Sequence, residues 1–173
     1  KRFDLDAAII FSDILMLPYG LNQKVEFKKD FGPLLGELDL NKVSKLDEID
    51  FVKKVYPVYK AINLVSKNTL TKNKSTIGFV GAPWTLLVYM LDLKKGKKGI
   101  DASKLETSDI KIDVILDKLT KFLCLHIKNQ IDAGANVVQI FDSWGGILKE
   151  QYNEFSLKYI NDIRAKLLNA SFI

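Results

Sequence analysis

Val137-Val138-Gln139-Ile140-Phe141-Asp142-Ser143-Trp144-Gly145 is the stretch that decides the fold. An apolar, β-rich run of strand length ends abruptly in an acid, a hydroxyl, an indole and a glycine, the pattern of a strand that delivers polar groups into a turn. The pattern occurs twice more. Ala7 to Phe11 runs into Ser12-Asp13-Ile14-Leu15, and Thr76 to Val80 runs into Gly81-Ala82-Pro83-Trp84-Thr85. Each unit is followed by a helical pattern or by a linker leading to one. Repeated strand, turn and helix predict a parallel α/β sheet or barrel whose working residues sit at the C-terminal ends of the strands.

Between these strands the remaining elements read in order. Lys24 to Lys28 alternates as an exposed strand or hairpin arm, and Asp30 to Asp39, with Gly32, Pro33 and Gly36, reads as a loop. Pro57 marks the first turn of a helix that buries Val58, Ile62 and Val65 and ends in the polar stretch from Ser66 to Ser75. Pro83 starts a helix from Trp84 to about Leu93, stopped by Gly96, and Lys94 to Gly99 reads as a basic linker. The longest helix runs from an N-cap at Asp109 to Ala133, with Gly134 as its terminating glycine. Its apolar stripe is Ile112, Ile115, Leu116, Leu119, Leu123, Ile127 and Ile131. A last amphipathic helix covers about Ile147 to Leu168, with Phe155, Tyr159, Ile163 and Leu167 inward.

Composition bounds the function. The 173 residues, 47% of them hydrophobic, suffice for one sizeable core and read as a single domain, 1–173. No run has the length of a membrane span and no signal sequence opens the chain. The single cysteine, Cys124, rules out an intrachain disulfide framework and fits a reducing, cytoplasmic setting. The net charge is +5, yet only Arg2 and Arg164 among the 26 basic residues are arginine. Nucleic-acid readers rely on bidentate arginine, so the scattered lysines read as a solvated surface and no nucleic-acid partner is expected. A mildly positive field also suits an anionic small molecule. The chain opens without methionine almost directly into a strand and stops where another strand could begin, and it reads as an internal piece of a longer protein.

Three polar residues carry the chemistry. Asp13 follows an apolar strand, where its carboxylate can collect several N–H donors; it is equally a residue type that caps turns and helices. Tyr89 lies on the helix opened by Trp84-Thr85 and is either an amphipathic core tyrosine or a hydroxyl offered to a ligand. Ser143, beside Asp142, invites a hydrolase reading. That reading lacks a base: the sole histidine, His126, lies inside a long helix, and the string is not a Gly-x-Ser-x-Gly elbow. Cys124 and His126 are two apart on a helix and point in directions roughly 200° apart, so they read as a buried thiol and a packing imidazole with no shared metal.

The three strings, in this order, resemble the uroporphyrinogen decarboxylase family over nearly the whole sequence. The Gly81-Ala82-Pro83-Trp84-Thr85 string, with Tyr89 five residues after the tryptophan, matches the family position for position. The resemblance implies part of a (β/α)₈ barrel of TIM type, of which three parallel strand units are too few to close the ring. It implies removal of the four acetate carboxyls of uroporphyrinogen to give coproporphyrinogen, in porphyrin and haem biosynthesis, with no metal and no organic cofactor. It implies that Asp13 accepts hydrogen bonds from pyrrole N–H groups and stabilises positive charge on a protonated pyrrole. Tyr89 and Ser143 would contact substrate, and Phe79 and Phe141 would be apolar cavity residues. It leaves room for a homodimer. An arginine-bearing segment before this stretch and a histidine segment after it are further implied, so residues 1–173 alone are expected to be inactive. The Lys94 to Gly99 run departs from the family's glycine-rich stretch. The rival readings are a cobalamin-linked methyltransferase of the same superfamily and a non-catalytic binding domain, since barrels host many activities.

Overall fold

A computed structural model of the chain describes residues 5–28, 32–71, 73–95, 99–101 and 111–170. Ala7–Ile9 (β1) leads to a short helix, Met16–Gly20 (α1), and to a hairpin of Val25–Lys28 (β2) and Gly32–Leu35 (β3). Helices Leu40–Lys45 (α2) and Glu48–Ser66 (α3) precede Ser75–Gly81 (β4) and Pro83–Met90 (α4). The two-residue strands Lys94–Lys95 (β5) and Gly99–Ile100 (β6) come next, then the long helix Ile112–Asp132 (α5) and Val137–Phe141 (β7). The chain finishes through a 3-10 segment, Gly145–Gln151, a π-helical turn, Asn153–Leu157, and Lys158–Ala170 (α6).

The central sheet is β1-β4-β7, parallel throughout. Its register aligns Ile9 with Ile77 and Val137, and pairs Phe79 with Gln139 and Gly81 with Phe141. Side chains alternate between faces. Thr76, Gly78 and Val80 face the helical layer and are buried. On the other face Ile9 is 66% exposed, Phe11 82%, Val137 51% and Phe141 45%. A sheet with one helix-covered face and one open apolar face is an α/β layer that has not been closed over.

Helix ends follow local chemistry. Asp39 accepts from the N–H groups of Asn41 and Lys42 and caps α2; these bonds, Lys42's foremost, outweigh desolvation and hold its carboxyl below the usual range. Asp47 accepts from Asp50 N at 2.7 Å and caps α3. At the C-terminus of α5, Gly134 (φ 113°) donates to Ile131 O and Ala135 N donates to Gln130 O, the paired bonds of a left-handed stop that glycine adopts without strain. Asp92 (φ 49°) plays the same part after α4 and Asn22 (φ 71°) after α1.

Several expectations need correction. α3 starts at Glu48, nine residues before Pro57, which lies inside the helix. Proline there forfeits only the bond to Lys53 O, and the buried stripe of Phe51, Val55, Val58, Tyr59 and Ile62 holds the helix together across it. The expected loop from Asp30 to Asp39 contains β3, the antiparallel partner of β2; Asp30 itself lies outside the described residues. α4 ends at Met90, and Asp92, not Gly96, turns the chain. The supposed linker pairs Lys94 with Ile100 and Lys95 with Gly99. α5 begins at Ile112 with Lys111 preceding it; Asp109 lies outside the described residues. Ile131 is 49% exposed, while Phe122 and His126 belong to the buried face. The last helix is not continuous: Lys149, at φ 48° and ψ −118°, breaks it before α6 begins.

Candidate active site

The parallel order β1-β4-β7 puts the three polar strings at one edge, because each follows the C-terminal end of its strand. Adjacent strands lie about 4.8 Å apart, so the edge spans roughly 10 Å from the first string to the third. Two contacts stitch it together. Ala82 N donates to Phe141 O at 2.8 Å, and Gly81 sits so close to Ile14 that a Cβ there would lie 3.3 Å from the Ile14 Cβ.

Asp13 sits half-buried at φ 60°, a left-handed conformation that aspartate tolerates better than most residues. Its Oδ1 accepts from Leu15 N at 2.9 Å and its carbonyl from Met16 N at 3.2 Å. It is thus a local turn cap, one of the two roles open to it from sequence. Oδ2 accepts no hydrogen bond among the described residues, so half of the carboxylate is left for another donor. Beside it the Ser12 hydroxyl is buried with no protein partner among those residues.

Phe79 and Phe141, named from sequence as cavity residues, meet edge to face with centroids 5.4 Å apart. Phe11 joins them, 5.3 Å from Phe79. Phe11 was missed as a site residue; its position two after Ile9 on the open face was the available signal. The three rings form an apolar floor on that face.

Tyr89 is half-buried, its ring edge-on to Trp144 at 6.5 Å with Lys94 Nζ 4.7 Å from its centroid. Ser143, next to Trp144, is exposed and makes no hydrogen bond among the described residues. Tyr89 and Ser143 are therefore neighbours through Trp144, whereas Asp13 reaches them only along the strand ends.

Asp142 is occupied structurally. Thr85 Oγ1 donates to its Oδ1 at 2.9 Å and Ser156 Oγ to its Oδ2 at 2.6 Å, while Trp144 N donates to Thr85 Oγ1 at 3.0 Å. Gly145 N closes onto the Asp142 carbonyl, and a Cβ at Gly145 would collide with that carboxylate. Trp84 Nε1 adds a bond to Trp144 O at 3.2 Å. These bonds fix the turn bearing Ser143 to the first turn of α4. The partners are 57 and 14 residues from Asp142, so no local signal pointed to them.

The hydrolase and metal readings meet independent geometry. The His126 Nδ1 shares a buried 2.8 Å hydrogen bond with Tyr59 OH, and burial holds its pKa down at about 4. Burial likewise pushes the Tyr59 hydroxyl up. His126 thus faces α3, far from Ser143 in function. Cys124 is half-buried, not buried, and it faces α6: burial chiefly raises its thiol, with Asp162 adding to the rise and Lys166 opposing it.

The described residues thus form a parallel α/β layer with three aromatic rings on its open face and polar side chains at the carboxyl ends of its strands. A family profile described as Uroporphyrinogen decarboxylase (URO-D) matches residues 1–171. The chain belongs to the uroporphyrinogen decarboxylase family. It is 43% identical over 181 residues to the uroporphyrinogen decarboxylase of Orientia tsutsugamushi, covering 99% of this chain and 50% of that protein. Against that of Rickettsia bellii it is 42% identical over 162 residues, covering 91% and 47%, and against that of Campylobacter jejuni 40% over 164 residues, covering 92% and 48%. The chain spans about half the length of these relatives. A solved methyltransferase from Methanosarcina mazei superposes with a TM-score of 0.61 at 17% identity, covering 82% of this chain and 42% of that one; at that identity it shows likeness of fold alone.

Proposed function

We propose that the whole protein removes the acetate carboxyls of uroporphyrinogen to give coproporphyrinogen, and that residues 1–173 form a single domain, the central portion of a (β/α)₈ barrel, carrying part of the active site. The observation that carries this is Asp13 at a strand end beside the Phe11, Phe79 and Phe141 floor, in a chain of this family. A cyclic tetrapyrrole presents apolar faces, central N–H donors and an acidic rim, and the edge offers a counterpart to the first two.

In the proposed reaction a pyrrole ring is protonated and becomes the electron sink. The C–C bond to the acetate carboxylate breaks, carbon dioxide leaves, its bonding pair enters the ring, protonation of the exocyclic carbon leaves a methyl group, and the ring gives back the proton it first took up. Each turn consumes one proton net and needs no oxidant, metal or organic cofactor. Asp13 takes the role of a fixed anion: Leu15 N–H holds Oδ1, and the free oxygen receives pyrrole N–H groups as positive charge develops. Tyr89 and Ser143 contact substrate carboxylates, and Phe79 and Phe141 orient the macrocycle. A cytoplasmic location and a homodimeric assembly are part of the same proposal; among the described residues no helix is long and apolar enough to cross a membrane.

Anaerobic incubation of the whole protein with uroporphyrinogen, followed by oxidation and separation of the porphyrins by carboxyl number, tests the proposal. Stepwise loss of four carboxyls is expected. Recovery of unchanged substrate would refute it.

A further inference from the structure

Tyr89 is the one residue of α4 that the core does not take. Pro83 to Val88 and Met90 are buried, whereas Tyr89 is half-buried and its ring meets Trp144, just past the end of β7. Among the described residues its hydroxyl makes no hydrogen bond, so no polar partner there fixes where it points. The second torsion of a tyrosine is broad, and ring contacts must set it. Two do so. The Trp144 ring stands at 80° to the Tyr89 ring with centroids 6.5 Å apart, and the Lys94 ammonium lies over the Tyr89 ring, 4.7 Å from its centroid. A cation at that distance is attracted by the electron-rich face of the ring.

Both neighbours are themselves held by α4. Trp144 N donates to Thr85 Oγ1 and Trp84 Nε1 donates to Trp144 O, so the first turn of the helix grips the backbone on either side of the Trp144 ring. Lys94 returns to the same helix from its other end. Asp92, at φ 49°, turns the chain with its N–H bonded to Tyr89 O, and Leu93 N donates to Val88 O at 2.9 Å. Leu93 is fully buried, Lys94 pairs with Ile100 across the β5–β6 hairpin, and Asp101 N donates to Leu93 O at 2.7 Å. The base of the hairpin thus fixes the Lys94 backbone beside the last turn of α4, and the aliphatic stem carries the ammonium over Tyr89. Among the described residues no carboxylate is within ion-pair distance of Lys94, so the ring has no competing anion among them.

We propose that Lys94 and Trp144 are positioning residues that set the ring of Tyr89, so that its hydroxyl is offered to substrate in one direction. The proposal rests on the decarboxylase reading and deepens it. Neither residue takes part in the bond changes; each acts through Tyr89. Lys94 lies in the run that departs from the family's glycine-rich stretch, so its contact is not one that the resemblance implies. A ring ordered before substrate arrives spares binding the cost of immobilising it. That gain is the same in the ground state and the transition state, and it belongs in KM and not in kcat. Because Ser143 immediately precedes Trp144, the same contacts tie the two substrate-facing hydroxyls to one helix.

The test uses the whole protein and two ligands: uroporphyrin, the oxidised form that does not react, followed by its own fluorescence, and uroporphyrinogen for turnover. Lys94→Met keeps the aliphatic stem and removes the charge, Lys94→Arg keeps a cation for the ring, and Lys60→Met, at an exposed lysine of α3, controls for net charge. Lys94→Met should weaken uroporphyrin binding and raise KM by about two- to fivefold, the range of one exposed cation–π contact, with kcat and thermal unfolding close to wild type. Lys94→Arg should recover most of the loss, and Lys60→Met should show none. Trp144→Leu should act in the same direction, with Trp144→Phe recovering part. The decisive comparison is made in Tyr89→Phe, which lacks the hydroxyl: there Lys94→Met should cost nothing further. In fluorotyrosine-labelled protein the Tyr89 fluorine resonance, assigned by its loss in Tyr89→Phe, should move in Lys94→Met and return in Lys94→Arg. An undiminished Lys94→Met loss in the Tyr89→Phe background, an unmoved resonance, or wild-type affinity in Lys94→Met would overturn the proposal. The same coupling in uroporphyrin affinity, in a protein that leaves uroporphyrinogen unchanged, would uphold the positioning role and refute the decarboxylase reading.

Discussion

Asp13→Asn separates the capping role that the structure shows for Asp13 from the electrostatic role proposed for it. The capping role uses Oδ1, which accepts Leu15 N at 2.9 Å, and an asparagine side-chain oxygen can accept the same bond. Asparagine also tolerates the φ of 60°. A charge-assisted bond is roughly twice a neutral one, and a neutral one contributes about 1 kcal/mol, so the stability change should stay within about 1 kcal/mol. For a chain of this size that is a shift of about 2–4 °C in Tm. The electrostatic role uses the charge, which asparagine lacks. Removing one preorganised electrostatic contact costs on the order of 10² to 10³ in turnover. Asp13→Glu should lose activity too, because the longer side chain moves the anion by about an ångström from its donors. Asp13→Ala loses the cap and places alanine in a left-handed conformation, so it should lose stability as well as activity, about 2 kcal/mol. The assay is initial-rate decarboxylation by the whole protein, run beside thermal unfolding of the same variants. Near-normal turnover in Asp13→Asn, or a loss that tracks unfolding, would refute the electrostatic role and leave Asp13 as a cap.

Other perturbations test the surroundings. Thr85→Val removes the donor to Asp142 and the acceptor for Trp144 N together, so it should cost about 2–3 kcal/mol and raise KM by loosening the Ser143 turn; unchanged unfolding in urea would show that this hub is dispensable. Lys149→Gly relieves a φ of 48° with ψ −118° and should stabilise by about 1 kcal/mol after the entropic cost of glycine; a lower Tm would contradict it. His126 carries a pKa lowered by burial to about 4 from 6.5. The unfolded chain therefore binds the extra proton between those values, and stability should fall as pH drops from about 6.5 towards 4, by at most about 3.4 kcal/mol at 1.36 kcal/mol per pH unit. His126→Gln should flatten that part of the stability profile, and a slope identical to wild type would locate the proton elsewhere.

The sheet was legible because its signals are local. Ala7 to Phe11, Thr76 to Val80 and Val137 to Phe141 are apolar runs bounded by turn residues, and the structure places β1, β4 and β7 within two residues of each. Gly134 announced the end of α5 for the same reason, since only a left-handed stop uses a glycine in that way. Pro57 misled because a proline at a first turn and one within a well-packed helix look alike in one dimension. The Asp47 cap and the Phe51, Val55, Val58 stripe were the better signals. Lys149 gave no warning of a break, because lysine has no preference for a positive φ that would announce one. At the strand ends, residues that directly follow the strands could be named, while Thr85 and Ser156 could not: they act through Asp142, far along the chain.

A structure of the whole protein with coproporphyrinogen bound decides whether Asp13 meets the pyrrole nitrogens. The macrocycle should lie on Phe11, Phe79 and Phe141 with pyrrole nitrogens at hydrogen-bond distance, about 2.7–3.2 Å, from the Asp13 carboxylate. A macrocycle seated elsewhere, or one whose nitrogens face away from Asp13, would contradict it.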